Sequence, residues 1–151
     1  MKQKLILAGL FIGIVLLGFI REFYFLNINA KIDFISGSYP TDYAHSHVAF
    51  LNDWTIGAMM NLKWVLTVLF SLLFLGFTVL ILRTWYSTWH YSRYAVIAYA
   101  ILFAVSGAFY LGGRWVDPEQ GYHFARTFMG FAQSPIPVMI LLVAIRLKER
   151  A

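Results

Sequence analysis

The sequence contains no cysteine, and this absence excludes several kinds of chemistry at once. Disulfide bonds, thiolate nucleophiles, cysteine-ligated zinc, iron–sulfur clusters and quinone-linked dithiol chemistry all require a thiol. Charge is scarce as well, because only 13% of the 151 residues are charged whereas 60% are hydrophobic. Soluble domains carry about 25% charged residues. A small soluble domain keeps much of its surface in water, so this composition indicates an integral membrane protein.

Long apolar runs take the place of the missing charges. Four segments, at about residues 5–25, 60–82, 94–112 and 124–146, are long enough to cross a bilayer core as helices. The runs are continuous, whereas the strands of a membrane barrel alternate apolar and polar residues. The sequence therefore predicts an all-α integral membrane protein with four transmembrane helices in a single domain, residues 1–151.

The distribution of lysine and arginine predicts the orientation of these helices. With the N-terminus in the cytoplasm, seven basic residues lie inside and five lie outside. The inner set is Lys2, Lys4, Arg83, Arg93, Arg146, Lys148 and Arg150, and the outer set is Arg21, Lys31, Lys63, Arg114 and Arg126. We therefore expect both termini to be cytoplasmic and the protein to reside in the plasma (inner) membrane.

The first loop, about residues 27–61, is the one long connection, and it is extracytoplasmic in this arrangement. Part of it has apolar and aromatic residues at helical spacing. These are Tyr43, His47, Phe50, Leu51 and Trp54. The spacing predicts a short interfacial helix on the outer membrane surface, or the extracytoplasmic start of the second span.

Small residues recur at intervals of four on two predicted helices. They are Ala100, Ala104, Ala108 and Gly112 in the third span, and Gly9 and Gly13 in the first. Such spacing allows helix backbones to approach closely, and it predicts helix–helix packing in lipid. A groove left open for a ligand is the alternative interpretation.

The fourth span contains two prolines, Pro135 and Pro137, within its apolar run. Each removes a backbone donor and clashes with the preceding turn, so we expect the helix to break or kink there. The freed carbonyls near Phe131 need partners, which Gln133, Ser134 or a neighbouring helix can supply.

Five side chains form a candidate ligand-binding layer on the extracytoplasmic side: Arg21, Glu22, Lys63, Arg126 and Gln133. The predicted topology puts the three cations at one depth. Basic side chains near helix ends commonly extend to the lipid headgroups, which is one interpretation. The other is a pocket for an anionic headgroup, a lipid-linked phosphate or a carboxylate of a partner protein, since ionisable residues facing a bundle interior tend to mark a site.

Metal and cofactor chemistry have little support in the sequence. His45, His47 and His123 are weak candidates for a metal site, because residues two apart do not share a helical face. A haem held across the bundle requires histidines in mid-span, and none lies there. We expect no cofactor. A nucleic-acid partner is not expected either, because the basic residues cluster beside apolar segments.

Two functions remain open, and with them the question of enzymatic activity. The first is a non-enzymatic subunit or an accessory partner in the assembly of a larger membrane complex, associating with other subunits or with itself through its small-residue faces and with membrane lipids. The second is a membrane-embedded enzyme or carrier that binds an anionic lipid or lipid-linked phosphate at the extracytoplasmic charged layer. The two differ in whether those charges converge on an open pocket or are sealed by local pairs.

Overall fold

The computed structural model describes residues 2–150, with the side chains of Arg114, Pro118 and Glu119 outside the description. The described chain is helical and contains no strand. Its elements are α1 (Lys2–Ile35), a short 3₁₀ helix (Ser46–Leu51), α2 (Ile56–Tyr86), α3 (Ser92–Val116), α4 (Pro118–Ala132) and α5 (Ile136–Arg150). The all-α prediction is confirmed.

Among the described residues, three helices are long and apolar enough to cross a membrane: Lys2–Ile35, Ile56–Tyr86 and the Ser92–Gly113 part of α3. The bent pair of Gln120–Ala132 and Ile136–Arg150 makes a fourth span if it is counted as one, so the structure supports three or four spans. At 1.5 Å per residue α1 is about 51 Å long, which exceeds a bilayer core of about 30 Å.

The first helix is ten residues longer than the predicted end near residue 25, because it continues to Ile35. Two polar residues that suggested a loop lie on the helix and bind the following segment: Lys31 pairs with Asp42, and Asn27 accepts the amide of His45. Gly37 stops the helix in the left-handed conformation, with φ of 78°.

The loop helix is shorter than the pattern suggested. A 3₁₀ helix covers only Ser46–Leu51, and α2 begins at Ile56, where Thr55 Oγ1 accepts the amide of Ala58. Leu51 is buried whereas Tyr43 is 69% exposed, so the predicted common face is not formed.

The predicted break in the fourth segment is present. Helices α4 and α5 meet at an angle of 64°. Ser134 Oγ donates to the carbonyl of Phe131 at 2.8 Å, so a side chain next to Pro135 satisfies a carbonyl freed by the break.

By internal contacts the chain divides into two compact units. The hairpin unit, Leu17–Phe70, has a core of Ile28, Val48, Leu51 and Met59. The bundle unit, which comprises residues 1–16 and 71–151, buries a second apolar cluster built on Leu82, Ala95 and Ile145. Helices α1 and α2 contribute residues to both units.

Candidate functional site

In the hairpin unit, Arg21 is held by its neighbours on α1. Its Nη1 lies 3.0 Å from Glu22 Oε2, and its guanidinium carbon lies 5.1 Å from the ring centre of Phe25. Two of the predicted site residues are therefore adjacent and form a local ion pair. Glu22 is more than half exposed, which makes this pair weak as a source of stability.

Lys63 on α2 binds a different part of α1. Its Nζ donates to Asn29 Oδ1 at 2.7 Å. Asn29 follows Arg21 by eight residues, which is about 12 Å along a helix. Within this unit Arg21 and Lys63 therefore engage separate partners at separate levels rather than one common point.

One ion pair of this unit was not predicted from the sequence. Lys31, only 6% exposed on α1, forms an ion pair with Asp42 of the loop. Asp42 Oδ1 also accepts the amide of Ala44, and these two contacts lower the pKa of its carboxyl group. Close by, Asn27 Oδ1 accepts the amide of His45 at 2.6 Å, so two contacts fasten the loop to α1.

A half-open depression of about 130 Å³ lies beside this ion pair. It is lined by Lys31, Asp42, Ala44, His45, Ser46, Val48, Ala49 and Asn52. The depression is smaller than an ordinary ligand pocket, which occupies about 300–1,000 Å³. Its cation is already neutralised by the loop carboxylate, so it offers no free charge to an anion.

The histidines proposed as weak metal ligands have other contacts. The rings of His45 and His47 stack with centres 4.7 Å apart, and His45 Nδ1 accepts the amide of His47. His123, in the bundle unit, lies edge-on to Phe124. Among the described residues, no group of three or more metal-binding side chains comes together.

In the bundle unit, Gln133 is buried and bound to α2. Its Nε2 donates to Ser71 Oγ at 2.9 Å, and Ser71 Oγ donates to Met129 Sδ at 3.7 Å. A second pair lies along α2, where Thr78 Oγ1 is 3.1 Å from the hydroxyl of Tyr99 on α3. These neutral contacts join α2 to the break between α4 and α5 and to α3.

Helices α3 and α4 form a tight antiparallel hairpin. Gly113 and Gly121 touch backbone to backbone, and a methyl group added to either glycine would overlap the other residue. Ser106 Oγ donates to the carbonyl of Ala125 at 2.8 Å, and the rings of Phe109 and Phe128 stack. Arg126, the fifth predicted site residue, is exposed on α4.

The small-residue series of α3 lies on the exposed side of the helix. All four members, Ala100, Ala104, Ala108 and Gly112, are exposed, and a Cβ at Gly112 would meet no atom within 4 Å. The buried side of α3 contains Ala95, Tyr99 and Ser106 instead. On α1, Gly13 packs against the ring of Phe77, whereas Gly9 is open.

A cluster of aromatic and basic side chains surrounds the turn between α2 and α3. Arg83 stacks on Trp89 at 4.0 Å, and Lys148 donates from Nζ to the hydroxyl of Tyr94 at 3.0 Å. The hydroxyl of Tyr91 donates to Glu149 Oε1, and this hydrogen bond raises the pKa of the phenol.

The candidate layer thus divides between the two units. Arg21, Glu22 and Lys63 belong to the hairpin unit, and Arg126 and Gln133 belong to the bundle unit. Sequence reasoning missed the pair of Lys31 and Asp42, because nothing in the spacing indicates which loop carboxylate meets a helix lysine. No protein family, curated protein or solved structure matches this chain.

Proposed function

We propose that the chain is a four-span protein of the plasma (inner) membrane with both termini in the cytoplasm. Gln3 Nε2 donates to the carbonyl of Thr84 at 2.5 Å, and Tyr91 donates to Glu149 at 2.8 Å. Side chains near both ends of the chain therefore contact the same turn, as expected for an even number of crossings. The bent pair α4–α5 is then one span.

The charge distribution supports the cytoplasmic assignment. This end of the bundle unit contains seven basic residues and one acidic residue, Glu149. The basic set is Lys2, Lys4, Arg83, Arg93, Arg146, Lys148 and Arg150. Cytoplasmic segments of membrane proteins carry an excess of lysine and arginine.

Within this topology, we propose that the protein is a non-enzymatic subunit or assembly partner of a larger membrane complex. The exposed small-residue series of α3 is the observation that carries the proposal. In lipid there is no hydrophobic drive to associate, so helices come together where small residues permit close backbone contact. The series extends from Ala100 to Gly112, about 18 Å of helix, which is long enough for a partner helix to pack along it.

The contacts of the charged residues favour this role over that of a carrier. Arg21 pairs with Glu22, Lys63 binds Asn29, and Gln133 is buried against Ser71. These side chains are held by local partners. The alternative, an enzyme or carrier that binds an anionic lipid at the extracytoplasmic layer, is the second candidate, and it has no comparable observation in its favour.

Reporter fusions test the topology. A fusion after Ala151 and one at Ser87 should both report the cytoplasm, and a fusion at Ser38 should report the outside. An external signal at position 151 together with a cytoplasmic signal at position 87 would contradict the four-span arrangement, because the bent pair would then not cross.

The assembly role is tested by native mass spectrometry of gently extracted protein. Ala104→Leu or Ala108→Leu should remove the associated subunit, whether a second copy or another protein, since overpacking costs about 1–3 kcal/mol. Val105→Leu, outside the series, is the control. Wild-type association in all three variants would contradict the proposed interface.

Arg21→Lys separates the two candidate functions. Lysine keeps the charge but cannot reproduce the two-point contact of a guanidinium with a phosphate. If the extracytoplasmic charged layer only anchors the protein, the growth or complex-assembly phenotype of the cells should be unchanged. A loss of function in a stably folded Arg21→Lys variant would favour the carrier.

A further inference from the structure

Two cations that are far apart in the sequence of the bundle unit lie close to one aromatic ring. The guanidinium carbon of Arg93, at the start of α3, lies 5.3 Å from the ring centre of Tyr94. The Nζ of Lys148, near the end of α5, lies 5.2 Å from the same centre and donates to the Tyr94 hydroxyl. We call Arg93, Tyr94 and Lys148 the Tyr94 clamp.

The charges of the clamp are not balanced by a carboxylate. Within residues 2–150, neither cation forms an ion pair, and the neighbouring Glu149 accepts the hydroxyl of Tyr91. Arg93 is positioned by His90, because Arg93 Nη2 donates a hydrogen bond to His90 Nε2 at 2.9 Å. Two like charges are thus fixed against one ring, and an anion between them would relieve their repulsion.

We propose that the Tyr94 clamp binds the phosphate of an anionic phospholipid. A guanidinium gives a phosphate two parallel hydrogen bonds, and an ammonium adds a point charge. Both side chains are exposed and can therefore turn toward a ligand. This site is at the end of the bundle unit that carries the α2–α3 turn, and it shares no residue with the extracytoplasmic layer.

A lipid is the occupant that the surroundings favour. Trp85, at the end of α2, and Trp89, on the adjoining turn, are both exposed, and Arg83 stacks on Trp89 at 4.0 Å. Tryptophan and tyrosine concentrate where a protein meets the headgroup layer. The inference takes from the proposed topology only that this end of the molecule reaches that layer; it is independent of the subunit role.

The test measures bound lipid directly. The full-length protein, in nanodiscs of phosphatidylcholine with phosphatidylglycerol, is transferred to native mass spectrometry and retained phosphatidylglycerol is counted. Arg93→Gln and Lys148→Gln should each lower retention about tenfold, since each change removes a charge-assisted hydrogen bond to the phosphate. Tyr94→Phe, which keeps the ring but frees Lys148, should lower it less.

Arg150→Gln is the matched control, because it removes one exposed basic residue from the same terminal turn. It should retain lipid as the wild type does, and all variants should show the wild-type melting temperature in detergent. If Arg150→Gln lost as much phosphatidylglycerol as the clamp variants, the lipid would be bound by a diffuse basic surface, and the proposed site would be contradicted. Unchanged retention in both clamp variants would overturn the site.

A soluble phosphate ligand is distinguished by competition. Inorganic phosphate at millimolar concentration should leave the retained phosphatidylglycerol unchanged. Displacement by inorganic phosphate would show a site for small anions and contradict the assignment to lipid. Because α3 variants such as Ala104→Leu leave the clamp intact, failure of the subunit proposal would leave this result unaffected.

Discussion

The hairpin unit and the bundle unit differ in the charge of the polar side chains that they bury. In residues 17–70 the buried polar side chain is Lys31, which pairs with Asp42, and two further pairs include a charged group: Arg21 with Glu22, and Lys63 with Asn29. The buried polar side chains of the bundle unit are neutral. There Gln133 binds Ser71, Thr78 lies beside Tyr99, and Ser106 donates to a backbone carbonyl.

The difference follows from the cost of removing each group from water. An ionised side chain in hydrocarbon loses far more hydration energy than an amide or hydroxyl. Neutral pairs therefore cost little free energy along the spans, whereas charged pairs are expected near the helix ends, where water reaches them. We therefore expect the choice between charged and neutral pairs to follow how far each pair lies from water.

The largest effect is expected where the bundle depends on backbone contact rather than on any polar pair. Gly121→Ala should destabilise the protein by about 3 kcal/mol, because its methyl group would overlap Gly113 and the carbonyl oxygen of Phe109 at 2.8 Å. Thermal unfolding in detergent measures it. Gly130→Ala, with nothing within 4 Å of its Cβ, is the control and should be neutral or slightly stabilising.

The ion pair of the hairpin unit is tested by Asp42→Asn. The folded state lowers the pKa of Asp42, so its contribution is complete above the ordinary aspartate value near 4 and is lost as the pH falls below it. Hydrogen exchange of the 17–70 backbone should show protection that declines under acid in the wild type.

Asp42→Asn should already lack that protection at neutral pH and lose its acid dependence. Asp53→Asn, at an exposed position of the same loop, is the control. An acid response in Asp42→Asn equal to that of the wild type would mean that another group holds the loop.

The neutral side is tested by Ser71→Ala. This change removes the hydroxyl oxygen that accepts from Gln133 Nε2 and should cost about 1.5 kcal/mol. Adding Gln133→Leu to Ser71→Ala should recover part of the loss, because no polar group is then left unpaired. A double variant less stable than either single one would show that Gln133 has a further essential contact.

The smallest expected effect is a gain in stability. Ser92 Oγ is buried at the start of α3 without a hydrogen-bond partner among the described residues. Ser92→Ala should therefore raise the unfolding free energy by about 0.5 kcal/mol, measured by the same thermal unfolding. Ser87→Ala, at an exposed position of the turn, provides the comparison. A fall in stability on Ser92→Ala would mean that its hydroxyl is satisfied.

The sequence predicts the spans and the break better than it predicts which side chains meet. Hydrophobic runs and the pair Pro135–Pro137 act locally, so α2, α3 and the bend follow from them. The end of α1 does not, because Lys31 remains helical through a contact with Asp42, eleven residues away. Likewise, periodicity finds the small residues around Ala104, but it cannot tell that Tyr99 rather than Ala104 faces inward.

The bend between α4 and α5 has a consequence for how the protein enters the membrane. Each helix has 15 residues, about 22 Å, which is less than a bilayer core of about 30 Å. Neither half can therefore partition as a separate span during synthesis. In the proposed four-span topology α4 crosses only together with α5, so residues 118–150 enter the lipid in one event, and truncation after Ala132 should leave α4 outside.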